Sequence, residues 1–179
     1  MEVYLMRHGE TVWNAKGIIQ GRSNNRLSKN GKEQVEKQAS KLKDIDFDYI
    51  FASPLMRTMQ TANIVNKYHG KKIIKDSRII EIDQGVFVKR KKSTLTDEEK
   101  LRLKNRDSKS GLENFAMVND RVNNFIDYLK TNFTNETILI VTHRGIAEAI
   151  YFSVDGKEFN GESDDLNLFN NAAVRKIVL

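Results

Sequence analysis

The sequence predicts an α/β layer fold with a mostly parallel sheet. Short apolar runs alternate along the chain with stretches of helical period, as in chains that place crossover helices between parallel strands. Several of these runs stop abruptly at polar, chemically capable residues, as strands do when they end at a ligand-binding edge.

The elements follow in order. Val3-Tyr4-Leu5-Met6 reads as a buried strand, and residues 7–27, rich in Gly, Asn and Arg, read as a long loop of the kind that carries function. Ser28 is a good N-cap for a helix over 29–43, with Val35, Ala39 and Leu42 on one face. Residues 47–52 form a second strand. Ser53 and Pro54 then supply an N-cap and a first helical residue for a helix expected to reach about Tyr68. Ile73-Ile74 and Ile79-Ile80 predict short strands around a turn. Residues 86–110 are irregular apart from a short helix opened by the Thr96/Glu99 capping box. Residues 113–131 form an amphipathic helix, with Phe115, Val118, Val122, Phe125, Ile126 and Leu129 on one stripe. Thr137 to Val141 is the clearest strand, and a helix follows from about Ile146. Leu166-Asn167-Leu168-Phe169 and Val174 to Leu179 predict a closing hairpin. The 179 residues, with a single proline and no linker or repeat, fit one domain over 1–179, with a short basic, cap-like segment over about 86–111.

Composition bounds the function classes. No apolar run approaches the ~20 residues needed to span a bilayer, and the first six residues are too short for a signal-peptide core, so a cytoplasmic location is expected and no membrane partner. With no cysteine, thiolate chemistry and disulfides are excluded. The net charge of +6 is local: residues 88–109 hold nine Lys or Arg against four Asp or Glu, a net +5, which leaves the remainder at +1. A basic stretch confined to one segment without interleaved aromatics argues against a nucleic-acid partner. It reads either as a solvated face or as a screen for an anionic substrate.

Three places share one pattern, in which a strand ends, polar residues appear and a helix or loop begins. They are Arg7-His8-Gly9-Glu10-Thr11, Ser53-Pro54-Leu55-Met56-Arg57 and Thr142-His143-Arg144-Gly145. In a parallel sheet these ends lie along one edge, which gathers two of the three histidines and two arginines placed after strands. That set suits phosphoryl transfer. A neutral imidazole is a competent nucleophile, and arginine's planar fork matches phosphate oxygens.

The same residues carry a family resemblance. LMRHGETVWN resembles the signature of the histidine phosphatase superfamily, also called the phosphoglycerate-mutase-like family. Gln20-Gly21-Arg22-Ser23 with Leu27-Ser28 and Gly31 is similar to its next block, and residues 53–62 to the one after. Glu81-Ile82 with Gly85, then Gly111, Glu113 and Arg121, and finally Val141-Thr142-His143, continue the likeness over nearly the whole chain. The resemblance implies a three-layer α/β/α fold with a mostly parallel central sheet, a small phosphorylated substrate, no cofactor and no metal. It also implies roles. His8 is the nucleophile that becomes a phosphohistidine. Arg7, Arg57 and His143 hold the phosphoryl oxygens, His143 being protonated for part of the cycle. Asn14 points at the phosphate, and Glu81 is proton donor and then base. Gln20, Gly21 and Arg144 join Asn14 as candidate substrate-binding residues, Arg144 remaining open between a substrate contact and solvent.

The chain departs from the family where Val86-Phe87-Val88-Lys89 replaces a common acid-glycine pair, where Arg144 stands in place of a small residue, and where Asn24 stands in place of Asp. The leading expectation is a phosphatase for a small phosphomonoester. The alternatives are a cofactor-dependent phosphoglycerate mutase, whose family members carry longer insertions over the site, and a non-catalytic phosphate-binding module, which is expected to lose His8 or Glu81. The basic residues Lys89-Arg90-Lys91-Lys92 are expected either to face water or to receive a second negative group on the substrate. The oligomeric state is not legible.

Overall fold

The computed structural model describes residues 1–162, 165 and 167–179. A five-stranded sheet organises the chain. Its strands are β1 (Glu2–Arg7), β2 (Tyr49–Ala52), β3 (Ile73–Lys75), β4 (Thr137–Thr142) and β5 (Val174–Val178), in the order β3-β2-β4-β1-β5. The first four are mutually parallel, and β5 closes the edge antiparallel to β1. The helices are α1 (Val12–Ala15), α2 (Lys29–Leu42), α3 (Met56–Asn66), α4 (Asp97–Lys104), α5 (Phe115–Asn132) and α6 (Arg144–Val154). None of them is long and apolar enough to cross a membrane.

The period of two along the strands sorts the helices into layers. Val3, Leu5, Phe51, Ile138 and Ile140 pack on one face with the stripes of α5 and α6. Met6, Ile50, Ala52, Leu139 and Val141 pack on the other with Val35, Ala39 and Leu42 of α2 and Ala62 and Val65 of α3. The result is a three-layer α/β/α arrangement. A third, smaller cluster of Ile19, Phe87, Leu95 and Leu112 lies under the 86–112 segment and ties it to the loop after α1. Residue Val86-Phe87-Val88, which departs from the family pattern, thus supplies an anchor: Phe87 is fully enclosed.

Register positions the edge. Arg7 pairs with Thr142 and Ala52 with Val141, so β4 lies between β1 and β2 and all three end together. The His8 amide donates to the Thr142 carbonyl (3.0 Å) and the Ser53 amide to the Val141 carbonyl (3.0 Å). His8, Ser53 and His143 therefore stand side by side just past their strands.

Several local expectations are corrected. The loop over 7–27 contains α1, opened by a Thr11/Asn14 capping box. Ser53 does not cap α3. The helix starts at Met56, whose amide donates to Asn24 Oδ1 (2.6 Å) from the distant loop, and the Ser53 hydroxyl is engaged elsewhere. Ile79-Ile80 is not a strand, because the Asp76 carboxylate accepts from the Arg78 amide and turns 77–79 into a single 3₁₀ turn. α6 begins at Arg144, two residues before the expected start. The predicted C-terminal hairpin does not form among the described residues, and Leu166 lies outside them. Residues 167–169 are a turn, Ala172 adopts a left-handed φ of 59°, and β5 pairs with β1 instead. The Thr96/Glu99 capping box opens α4 as expected.

The loop that carries His8 presses directly onto α2. A Cβ on Gly31 would stand 1.9 Å from the Glu10 carbonyl oxygen, and one on Gly9 would stand 2.5 Å from the Gly31 carbonyl oxygen. Backbone meets backbone here, and no flexible side chain can yield. Gly31→Ala is expected to cost about 1–3 kcal/mol, the usual cost of overpacking. It should lower the thermal midpoint by several degrees at ~2–4 °C per kcal/mol for a chain of this size. Lys32→Ala, exposed on the same turn, should leave stability within about 0.5 kcal/mol. Equal melting curves for the two variants would refute the close-approach argument.

Candidate active site

Two hydrogen bonds fix the tautomers of the paired histidines. The His8 Nδ1 lies 2.7 Å from the Gly9 carbonyl, which can only accept, so Nδ1 carries the proton and Nε2 keeps its lone pair. His143 is the reverse. Arg57 Nε donates to its Nδ1 (3.1 Å), so Nδ1 accepts and the proton sits on Nε2, which donates to Ser53 Oγ (2.7 Å). The two rings meet edge to face with centroids 5.3 Å apart. His8, His143 and Arg57 are 2%, 0% and 1% exposed. Burial pushes the pKa of both histidines well below the ordinary value, and the neighbouring Arg57 and Arg7 charges push it further. Both imidazoles are neutral here. The protonated His143 implied by the resemblance is thus not the state this arrangement holds, since protonation at Nδ1 would break the bond from Arg57.

Arg57 donates to three partners at once: His143, the Ser23 carbonyl (2.7 Å) and the Gly21 carbonyl (2.9 Å). None of these is a carboxylate. Arg7 donates to the Phe169 carbonyl (2.8 Å), and its Nε is buried without a partner. Burial is the main reason that both guanidinium pKa values fall to about 10, with the charge of Glu81 acting in the opposite direction. Glu81 follows the turn after β3. Its Oε1 lies 3.4 Å from where a Cβ on Gly145 would stand, which places the carboxyl beside the start of α6. Burial raises its pKa above the usual carboxylate range, against the opposing charges of Arg57 and Arg7 and a hydrogen bond from the Ile82 amide (3.0 Å).

Arg7 and Glu81 form part of the wall of a cleft of about 920 Å³. Asn14, Gln20, Gly21 and Arg144 also line it. The Asn14 Oδ1 accepts from the Thr11 amide (3.0 Å), which leaves its amide nitrogen for a ligand. Thr11 Oγ1 donates to Gln20 Oε1 (2.9 Å), with the same consequence for Gln20. Gly21 acts chiefly through its carbonyl, as a seat for Arg57. Arg144 donates from Nε to Glu148 (2.9 Å) one turn on, and its remaining donors are at the cleft. Of the basic run 89–92, only Lys92 lines the cleft. Arg90 pairs with Glu99 (3.0 Å) outside it.

The sequence reading gave several residues that build the site no role in it. Ser53 was legible as a third residue directly after a strand, but Ser-Pro is also a common helix start. Glu113 anchors a buried frame behind Glu81. It accepts from Arg121 Nε (2.8 Å) and from the Asp83 amide (3.1 Å), and pairs with Arg22 (3.0 Å). Arg22 also donates to the Glu81 carbonyl (3.0 Å), and Arg106 donates to the Asp83 carbonyl (2.6 Å).

Comparison with known proteins places this geometry in context. The family described as histidine phosphatase superfamily (branch 1) matches residues 3–179. "Probable phosphoglycerate mutase GpmB" of Enterobacter sp. (strain 638) is 46% identical over 99 residues, 55% of this chain and 46% of that one. The chain thus matches about half the length of such curated relatives. Among solved structures, the alpha-ribazole phosphatase of Shigella flexneri superposes with a TM-score of 0.87 at 24% identity, covering 100% of this chain and 91% of the other. A phosphoglycerate mutase of Bacillus anthracis gives 0.79 at 23% identity, covering 98% and 86%. At such identities the superpositions establish the fold, which a phosphatase and a mutase share. The family match over nearly the whole chain establishes more: this protein belongs to the histidine phosphatase superfamily.

Proposed function

We propose that the protein is a phosphatase that hydrolyses a small phosphomonoester through a phosphohistidine on His8. The observation that carries the reading is the fixed tautomer of His8. With Nδ1 bound to the Gly9 carbonyl, Nε2 keeps its lone pair, and the charges of Arg57 and Arg7 act on the ring to keep it so. No hydrogen bond among the described residues engages Nε2, and the low pKa keeps it free of a proton at neutral pH.

His8 Nε2 attacks phosphorus while the bond to the leaving oxygen breaks. Glu81, protonated because burial favours the neutral acid, gives its proton to that oxygen. Water then attacks the phosphohistidine, Glu81 takes the water's proton, and phosphate leaves with His8 neutral again. Arg7, with its unpartnered Nε, and Arg57 face the spreading negative charge, and the Asn14 and Gln20 amides complete the set of donors. His143 takes its place in this set through Arg57, whose fork it orients. The segment over about 86–111 that could cover the site is short, which favours water as the acceptor and supports hydrolysis over mutase action.

Three measurements test this. His8→Ala should abolish turnover, and acid-labile, base-stable phosphate trapped on the wild-type protein should map to the peptide holding His8. Full activity in His8→Ala would overturn the nucleophile.

Glu81→Gln should slow alkyl phosphates by about 10²–10⁴-fold, the usual worth of general acid catalysis. It should slow p-nitrophenyl phosphate far less, because that leaving group departs without a proton. Equal losses would remove Glu81 as the acid. Asp83 is a weak substitute, since its carboxylate already caps the Gly85 amide (2.9 Å).

The pH dependence of kcat/KM follows from the shifts. His8 must be neutral, and its depressed pKa puts the acid limb well below pH 6.5. Glu81 must be protonated, and its raised pKa puts the basic limb above the ordinary 4.5. The optimum should therefore lie between the depressed His8 limb and the raised Glu81 limb. Glu81→Gln should remove the fall at higher pH, and a basic limb that survives in this variant would contradict the assignment.

A further inference from the structure

Beyond Glu81 the cleft carries more chemistry than a small polar leaving group needs. Its volume of about 920 Å³ is near the upper end of the ~300–1,000 Å³ common for small-molecule sites. Part of its wall is apolar, formed by Leu95, Leu103, Phe115 and Phe159. Its cations are ordered by a helix. Lys100, Leu103 and Lys104 stand at i, i+3 and i+4 on α4, so one face presents two ammonium groups flanking a leucine to the cleft. Lys92, from the 3₁₀ turn just before, adds a third. These charges are weakly compensated. Lys92 has no ion pair among the described residues. Lys100 pairs with Asp97, whose side chain is 98% exposed, and Lys104 pairs with Glu162 at 3.3 Å, with both side chains open to water.

We propose that the substrate's leaving group is an apolar spacer ending in a second anionic group, a carboxylate or a phosphate, received by Lys92, Lys100 and Lys104. The inference rests on the phosphatase reading for the orientation of the substrate, phosphoryl group toward Arg7 and His8, leaving group toward α4. A short polar leaving group would leave the leucine and phenylalanine wall wet. A polyanion is disfavoured, because Glu148 and Glu162 line the same cleft.

The test uses matched pairs. Hexyl phosphate and 6-phosphonooxyhexanoate share a phosphate and a six-carbon chain and differ only in its last carbon, a methyl in one and a carboxylate in the other. The wild-type protein should favour the carboxylate ester by about tenfold in kcat/KM, given about two- to threefold for each exposed cation engaged. The ratio should fall toward one in 0.5 M salt and in the variant Lys92→Ser/Lys100→Ser/Lys104→Ser. Lys32→Ser/Lys37→Ser/Lys41→Ser, which removes three exposed lysines of α2 far from the cleft, controls for net charge and should keep the preference. A wild-type ratio near one, or a preference that survives loss of the three cleft lysines, would overturn the proposal. The non-hydrolysable phosphonates of the same pair, titrated calorimetrically, separate the two readings. If neither ester is hydrolysed yet the carboxylate phosphonate binds about tenfold tighter and the cleft variant loses that margin, the phosphatase reading fails and the second-anion site stands. If both esters are hydrolysed at equal rates and both phosphonates bind alike, the site fails and the phosphatase reading stands.

Discussion

A buried guanidinium without a carboxylate partner is the constraint on which the rest of the site depends. Arg57 is 1% exposed, and its contacts are two backbone carbonyls and an imidazole. Burying an ion in this way is expensive unless its hydrogen bonds are fully met. Meeting them dictates the surroundings. The Gly21 and Ser23 carbonyls must turn inward, which places the 20–23 loop at the mouth of the site. His143 must offer a lone pair at Nδ1, which puts its proton on Nε2 and calls for an acceptor there, supplied by Ser53. The same uncompensated charge helps burial to strip the proton from His8, the proposed nucleophile.

A second constraint governs Glu81. No regular element holds it, since it lies on the connection between the 3₁₀ turn at 77–79 and that at 85–87. Its position is instead set by backbone hydrogen bonds from charged side chains on distant segments. Arg22 grips the Glu81 carbonyl, Arg106 the Asp83 carbonyl, and Glu113 the Asp83 amide. Glu113 is held in turn by Arg121, and this pairing keeps its pKa below the usual carboxylate range although burial opposes it. The half-buried Glu81 and the buried Glu113 thus have opposite tendencies. Glu113, matched by hydrogen bonds from arginine, stays a structural anion. Glu81, whose cations lie at Coulomb range without a direct hydrogen bond, leans toward the neutral acid.

What the sequence disclosed and what it hid follow from the range of the interactions. α2, α5 and β4 were legible because their apolar periodicity and caps lie within a few residues. The alignment of His8 with His143 was legible because strand ends in a parallel sheet share an edge. Ser53 was misread because Ser-Pro is an equally good local start for a helix, whereas the actual cap, Asn24, comes from a loop about thirty residues earlier in the chain. The strand expected at Ile79-Ile80 failed for a local reason, the Asp76 side chain capturing the Arg78 amide. The expected hairpin failed because β5 finds its partner at the opposite end of the chain, in β1. The 89–92 run could not be resolved by chain reach alone. It is held by backbone pairing with the loop after α1, through the Ile19 amide to the Arg90 carbonyl (2.9 Å) and the Lys92 amide to the Gly17 carbonyl (2.9 Å), and that pairing turns only Lys92 inward.

The free site is electrostatically incomplete, and that incompleteness has a chemical use. Arg7 and Arg57 bring two positive charges into a region with Glu81 as the nearby acid, and the acid itself leans toward neutrality. Burial, helped by the mutual repulsion of these charges, lowers both guanidinium pKa values to about 10 and holds both histidines neutral. On the proposed mechanism, a phosphoryl dianion entering this region would offset the repulsive part of these pressures. It satisfies the open Nε of Arg7 and supplies the countercharge that Arg57 lacks. It also raises the proton affinity of every neighbouring base, so Glu81 gains hold of its proton as the substrate arrives. In the proposed role, Glu81 would thereby hold its proton best when a leaving oxygen is present to receive it. His8 is protected from the same effect in part by geometry, because its Nδ1 proton is already committed to the Gly9 carbonyl and its Nε2 faces phosphorus instead of solvent once the phosphoryl group is seated. The energy stored in burying unmatched cations is therefore released on binding the one kind of ligand whose charge and oxygen count match them.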